Sequence, residues 1–543
     1  MLPADPQSHE DLTRRFRWQI PDRFNIGVAC ADEPARTDAA APAIVDWSAE
    51  TPLTLTFGEL SARSDNLAAG LSRLGLQRGD RVAILLPQSF ETVIAHMAIY
   101  KLGAIAVPLA MQFGPQAIAY RVGFSGARAL FCNASGLTKI AEIRDELETL
   151  ETVISTDGGN ATVAFSALAN EPADGFIPAD TGPDDPALMI FTSGTTGHPK
   201  GALHGHRVLL GHLPGVETHH EFLPQPGDVL WTPADWAWAG GLLNVLLPGL
   251  YFRVPVVAAR APRFEPEWAF EVMARAGVRN VFMPPTALRM LATVQDVARF
   301  PLQLRTIGSG GEALGRETLQ WCRNALGIDI NEFYGQTECN LVLSACNALG
   351  VLREGSMGKP VAGHEVAIIG ENGDVLADGE LGQVAVRRPD PVMFLEYWNN
   401  PEATADKFVG DWMTTGDQGY RDADGYFHFV GRDDDVITSG GYRIGPVEIE
   451  DCLVGHPDVA LAAVVGKPDP VRTQIVKAYV VLREGIAPSA ELKGDIRDYV
   501  KTRLSAHEYP REIEFVSEMP LTTTGKVIRR LFRDRAAAEP RGE

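Results

Sequence analysis

The segment from Ile190 to Gly201 gathers Thr192, Ser193, Gly194, Thr195, Thr196, Gly197 and Lys200 into one short run. Glycines let successive backbone N–H groups point into one concavity, and the hydroxyls add further donors. Lys200 contributes a point charge on a long stem. Such a set suits the phosphate tail of a nucleotide. It departs from the common G-x-x-x-x-G-K-[ST] loop: Gly197 lies three residues before Lys200, and Gly201 stands where a magnesium-binding hydroxyl would follow.

A second group follows at Gly310, Gly311, Glu312 and Ala313, and at Glu332, Phe333, Tyr334, Gly335, Gln336, Thr337 and Glu338. A flat purine wants both faces covered. Tyr334 offers an aromatic face, and the Gly311-Glu312-Ala313 backbone offers a thin opposite wall. Glu332 can accept from an exocyclic amine, and Thr337 can donate to a phosphoryl oxygen. Glu338 is a hard oxygen ligand suited to magnesium. Further on, the carboxylate of Asp417 can accept from two vicinal hydroxyls, and Arg432 can cover a ribose or a phosphate. Near the end, Gly525 precedes Lys526 in a P-x-x-x-x-G-K run, which lets an ammonium reach into a cleft.

These motifs, in this order and spacing, resemble the adenylate-forming superfamily, and the likeness runs from about Leu60 to Arg530. The stretch from Tyr509 to Phe515 resembles the medium-chain acyl-CoA synthetases in particular. The resemblance implies that ATP, Mg2+ and CoA are used. A carboxylate attacks the α-phosphorus of ATP, pyrophosphate leaves, and CoA thiolate then displaces AMP from the acyl-adenylate. It further implies that Asp417 and Arg432 hold the ribose, that Arg443 contacts phosphate, and that Glu338 with Thr192 holds the metal. Lys526 then binds the carboxylate and α-phosphate oxygens, Asp434 is a hinge, and Gly440 and Gly441 line the pantetheine tunnel. No covalent nucleophile is needed, so catalysis rests on positioning and charge stabilisation.

The acid is read from the pocket. Acetate-specific relatives carry tryptophan at the position matching Gly335, so glycine here implies a deeper pocket, with Trp238 and Gly310 also expected to line it. A medium-length, branched or aryl acid fits. Arg472, Lys501 and Arg503 are candidates for the CoA phosphates, and the Lys526 motif resembles sites of reversible lysine acylation by an acyltransferase and deacylase. The alternatives are an adenylating enzyme with another acyl acceptor and a non-catalytic nucleotide-binding scaffold.

The elements that must position these residues are expected from period and punctuation. The chain has 543 residues, a formal charge of -21 and 45% hydrophobic residues, which requires more than one core. The acidic balance argues against a nucleic-acid binder. The six cysteines form no C-x-x-C pair, no apolar run reaches membrane-spanning length, and Met1–Asp11 is polar; a cytoplasmic protein with reduced thiols is expected. Residues 1–50 read as a helix followed by irregular chain. From Phe57 strand and helix alternate, as in parallel doubly wound sheets. Strands are expected at Arg81–Leu86, Ala104–Val107, Ala129–Cys132, Thr152–Ser155, Ala187–Phe191 and Asn280–Phe282, with helices at Leu60–Leu74 and Phe90–Leu102. Turn-punctuated strands from Glu365 to Val430 imply a β-rich subdomain. An α+β tail follows, with helices at Pro446–Leu453 and Glu491–Leu504. The expected division is an α/β domain over residues 1–433 and a small mobile α+β domain over 434–543.

Overall fold

The computed structural model describes residues 1–49, 51–159, 163–173, 175–192, 199–261, 263–312, 314–433, 435–439, 442–469, 472–504, 509–522 and 527–539, the side chains of Tyr442 and Arg443 excepted. Among these residues the strands form four sheets.

The first sheet carries the nucleotide-type loop. Its central strands Arg81–Leu85, Ile105–Pro108, Ala129–Cys132 and Pro186–Thr192 run parallel to one another. They are nearly continuous apolar runs because helices cover both faces. Helix Phe90–Leu102 shows the local logic. Ser89 caps it by accepting from the Thr92 N–H, and Gly103 ends it in the left-handed region at φ 73°. Strand Lys200–Gly205 returns antiparallel beside Pro186–Thr192, and strand Glu396–Tyr397 adds outside it.

The second sheet runs from Lys359–Pro360 to Leu53–Thr56. At its centre Thr306–Gly310 lies between Asn280–Phe282 and Asn331–Tyr334, all parallel. The carboxyl ends of Thr306–Gly310 and Asn331–Tyr334 therefore deliver the segments after Gly310 and after Tyr334 to one edge, where open α/β sheets bind ligands. The third sheet is antiparallel and pairs Trp412–Arg421 with Gly382–Arg387 and Phe427–Arg432.

The fourth sheet joins Val459–Asp469, Thr473–Leu482 and Glu512–Phe515 with the short strands Ile437–Ser439 and Tyr442–Ile444. Helices Pro446–Val454 and Ala490–Arg503 close a core of its own, including Ile437, Ile449, Val464, Val480 and Ile496. The architecture is thus α/β with mixed sheets and a separate small α+β domain at the C-terminal end.

Three expectations change. Residues 1–50 are not irregular after their helix, because Pro42–Asp46 pairs parallel with Val256–Ala258 inside the second sheet. Its apolar run, Ala43 to Val45, was too short to show a period. The first two sheets are also mixed rather than parallel, since Lys200–Gly205, Leu343–Ser344 and Leu53–Thr56 each run antiparallel to the strand before it. The apolar stretches Val459–Val465 and Ala478–Leu482 predict two tail strands, and the strands extend past them to Asp469 and Thr473. Backbone pairing continues there because Lys467 and Lys477 are matched by Glu512 and Glu539.

Candidate active site

Thr192 and Lys200 face each other across the ends of the antiparallel pair. Ser193, Gly194, Thr195, Thr196 and Gly197 fall between them, outside the described residues. The Lys200 Nζ stands 4.9 Å from the centre of the Tyr397 ring, and the Tyr397 hydroxyl donates to Glu338 Oε1. Glu338 is 6% exposed, and its backbone carbonyl accepts from the Phe394 N–H at 2.8 Å. Three distant segments thus meet at one point. Sequence reasoning missed Tyr397, which sits in a strand of two residues with no periodic pattern. The available signal was the capped helix start just after it, where Asn400 accepts from the Ala403 N–H.

A second convergence lies alongside. The Tyr334 hydroxyl donates to Asp417 Oδ2 at 2.5 Å, and the Arg432 Nε stands 3.3 Å from Asp417 Oδ1. Asp417 and Arg432 are cross-strand partners. Burial, then the Asp417 charge, holds the Tyr334 phenol well above its usual range, so it remains a neutral donor. Gln336 is fixed from both ends: its amide donates to the Thr415 carbonyl at 2.9 Å, and its oxygen accepts from Lys407 Nζ at 2.9 Å. Lys407 was not anticipated either.

The alternation of a strand decides which neighbours can join this site. Phe333 points away from Tyr334, its ring 4.7 Å from His219 and 5.5 Å from Phe282. The expected nucleotide contact of Phe333 is therefore confined to its backbone. Glu332 shares the Tyr334 face and lines a crevice with Leu319, Arg323, Glu354 and Ser356. Burial pushes its carboxyl up to about 8, with Asp451 and Glu354 adding to the rise. The ordinary value is 4.5. Between these two values the unfolded chain has lost this proton and the folded one keeps it, so stability falls as pH rises through that window. Glu332→Gln is expected to flatten the decline in thermal midpoint from about pH 5 to 8. The Asp451 carboxyl, pushed to about 6 by burial, leaves a smaller slope of the same sign. Identical pH profiles for the native and Gln proteins would refute the assignment.

Gly311 has φ 94°, a conformation that favours glycine. The Glu312 carboxylate is engaged with Arg289 Nη2 at 2.8 Å and Thr286 Oγ1 at 2.9 Å, which leaves its backbone as the wall. Ala313 falls outside the described residues. A Cβ on Gly310 would stand 2.5 Å from the Phe333 carbonyl oxygen, and one on Gly335 would stand 2.1 Å from the Leu341 backbone nitrogen. Both glycines are thus required by close backbone approach, whatever the pocket depth.

Trp238 is half-buried, its ring edge-on to Phe113 at 5.7 Å. It packs against the apolar cluster that contains Phe191 and Leu203, beside the Thr192–Lys200 ends. In the small domain Ser439 pairs with Thr473, the residue after Arg472. Lys501 and Arg503 end helix Ala490–Arg503, with Arg503 stacked 3.5 Å above Tyr499 and Lys501 5.5 Å from the centre of the Tyr509 ring. Asp434, Gly440, Gly441, Lys526 and the Arg443 side chain lie outside the described residues. Their flanks are described. Leu521 bridges Val527 across the base of the Lys526 segment, and Arg529 and Arg533 reach Asp435.

Residues 31–398 match the family model described as AMP-binding enzyme, and residues 448–526 match the AMP-binding enzyme C-terminal domain. The mitochondrial acyl-coenzyme A synthetase ACSM4 of Homo sapiens is 35% identical over 96% of this chain and 92% of its own length. The acetyl-coenzyme A synthetase of Bacillus subtilis is 36% identical over 88% of this chain and 84% of its own. Among solved structures, the anthranilate CoA ligase AuaEII in complex with anthranoyl-AMP superposes with a TM-score of 0.86 at 29% identity, covering 95% of this chain and 98% of that one.

Proposed function

This chain belongs to the AMP-binding enzyme family and is an ATP-dependent acyl-CoA synthetase, an acid–thiol ligase, and from that premise we infer that it activates a medium-length, branched or aryl carboxylic acid. The acid is converted to an acyl-adenylate with release of pyrophosphate, and the acyl group passes to CoA with release of AMP.

The observation that carries the reading is the double convergence around Glu338 and Asp417. Asp417, held by Tyr334 and Arg432, presents a buried carboxylate suited to ribose hydroxyls. Tyr334 and the Gly311–Glu312 backbone then cover the adenine. Thr192 and Lys200 face the phosphates from the ends of their strands. Among the described residues no three acidic, histidine or cysteine side chains cluster as a metal cage. A single buried carboxylate with one oxygen fixed by Tyr397 fits magnesium, which takes one or two carboxylates and completes its shell with substrate phosphates and waters. Glu338, with Thr192, would hold it. Magnesium would there neutralise phosphate charge as the carboxylate approaches. Lys526 would supply the remaining cation.

The wall of Trp238 and Phe113 supports a flat or branched acyl group, as does the likeness to an anthranilate ligase. The division into residues 1–433 and 434–543, with Asp434 as hinge, is part of this proposal, and so is a mobile small domain. It is supported by the separate core of the fourth sheet. The proposal also includes a nucleotide-phosphate contact at Arg443, CoA contacts at Arg472, Lys501 and Arg503, and a tunnel past Gly440 and Gly441. Reversible acylation of Lys526 and a cytoplasmic location complete it. Among the described residues no helix is long and apolar enough to cross a membrane.

The test is AMP release measured with and without CoA over straight-chain, branched and aryl acids. The expected result is CoA-dependent AMP release that is at least tenfold faster with one of the larger classes than with acetate. Highest turnover with acetate would overturn the acid assignment.

A further inference from the structure

Lys200 and Glu338 carry opposite charges in one cleft, yet among the described residues no ion pair joins them. Tyr397 stands between. Its ring face lies under the ammonium, and its hydroxyl holds one carboxylate oxygen. The residue is itself well anchored. It is 4% exposed, its N–H donates to Thr404 Oγ1 at 2.9 Å, and its ring packs edge-on against Phe394 at 4.9 Å. Register with Ala202 fixes its place along the strand that begins at Lys200.

We propose that Tyr397 is a positioning residue that separates Lys200 from Glu338 and aims each at its own part of the nucleotide. Without the ring, a flexible ammonium and a buried carboxylate would close into an ion pair, and the nucleotide would have to break it. The cation–π contact holds Lys200 in place without neutralising it. The hydroxyl orients Glu338 and leaves the second carboxylate oxygen for a metal. The inference rests on the proposed metal role of Glu338 and deepens it.

The experiment measures binding rather than turnover, on the full chain. Mn2+ binding is followed by electron paramagnetic resonance with a non-hydrolysable ATP analogue present, and analogue binding without metal is followed by calorimetry. Tyr397→Phe keeps the ring and is expected to weaken Mn2+ binding about tenfold, the scale of one lost hydrogen bond to a charged group, while metal-free analogue affinity stays within about twofold. Tyr397→Leu is expected to weaken both. A Tyr397→Phe, Glu338→Gln double variant is expected to bind Mn2+ no worse than Glu338→Gln alone, because the hydroxyl acts through that carboxylate. Native Mn2+ affinity in Tyr397→Phe, or additive losses in the double variant, would overturn the proposal. A native protein that binds no Mn2+ beside the analogue would overturn the metal role of Glu338, and the inference with it.

Discussion

Lys526→Ala is expected to cut pyrophosphate exchange into ATP by about a thousandfold while acyl transfer from supplied acyl-adenylate to CoA stays within about threefold of native. The first step brings a carboxylate against a phosphate. Two unit charges about 4 Å apart in a medium of effective dielectric about 20 repel by about 4 kcal/mol, and each ~1.4 kcal/mol on a barrier is tenfold in rate. The second step joins a thiolate to an acyl carbon whose leaving group is already neutralised in part by the remaining cations. The described residues on either side of the lysine are fixed: Leu521 bridges Val527, and helix Arg529–Ala538 follows at once. Arg529 is fastened to Glu450, and both Arg529 and Arg533 reach Asp435, next to the proposed hinge at Asp434. In the proposed division Lys526 belongs to the small domain and would travel with it. Equal loss in both half-reactions would remove Lys526 from its assigned step.

Gly335→Trp is expected to abolish both half-reactions rather than narrow the acid preference to acetate. Any Cβ at this position falls 2.1 Å from the Leu341 nitrogen and 3.0 Å from the Asn340 carbonyl carbon. Those are backbone atoms and cannot swing aside as a side chain can. Leu341 already sits at φ 65°, a rare conformation for its type, and the Val342 N–H closes the loop onto the Tyr334 carbonyl at 2.9 Å. Relief therefore requires the segment from Glu338 to Leu341 to move, and Glu338 moves with it. Even Gly335→Ala is expected to lower turnover by a hundredfold or more, with a stability loss of about 1–3 kcal/mol, as overpacking costs. Steady-state kinetics over an acid panel, with thermal midpoints for each variant, would decide. A tryptophan variant that keeps acetate activity while losing larger acids would sink this argument.

The two cases divide what could be read in advance from what could not. Lys526, Lys200, Glu338 and Asp417 could be singled out because glycines, hydroxyls and charges recur around them; the structure brings Lys200 and Glu338 to Tyr397 and Asp417 to Tyr334, and the roles of all four belong to the proposal. The helices and buried strands were legible from period and from punctuation, as Phe90–Leu102 with its Ser89 and Gly103 ends shows. The strand at Pro42–Asp46 was not, because so short an apolar run acquires meaning only from the parallel neighbour it meets.

The amino-acid order alone determined the reaction class, through the resemblance of its four motifs to the adenylate-forming superfamily, since motif residues and their spacing are local and survive in the chain. Only the tertiary structure decided how each residue serves. It turned Phe333 into the core and raised the Glu332 carboxyl, set Tyr397 between two opposite charges, and made Gly335 a matter of backbone approach. Each of these depends on which distant backbone or ring arrives within a few ångströms, and no local pattern encodes that.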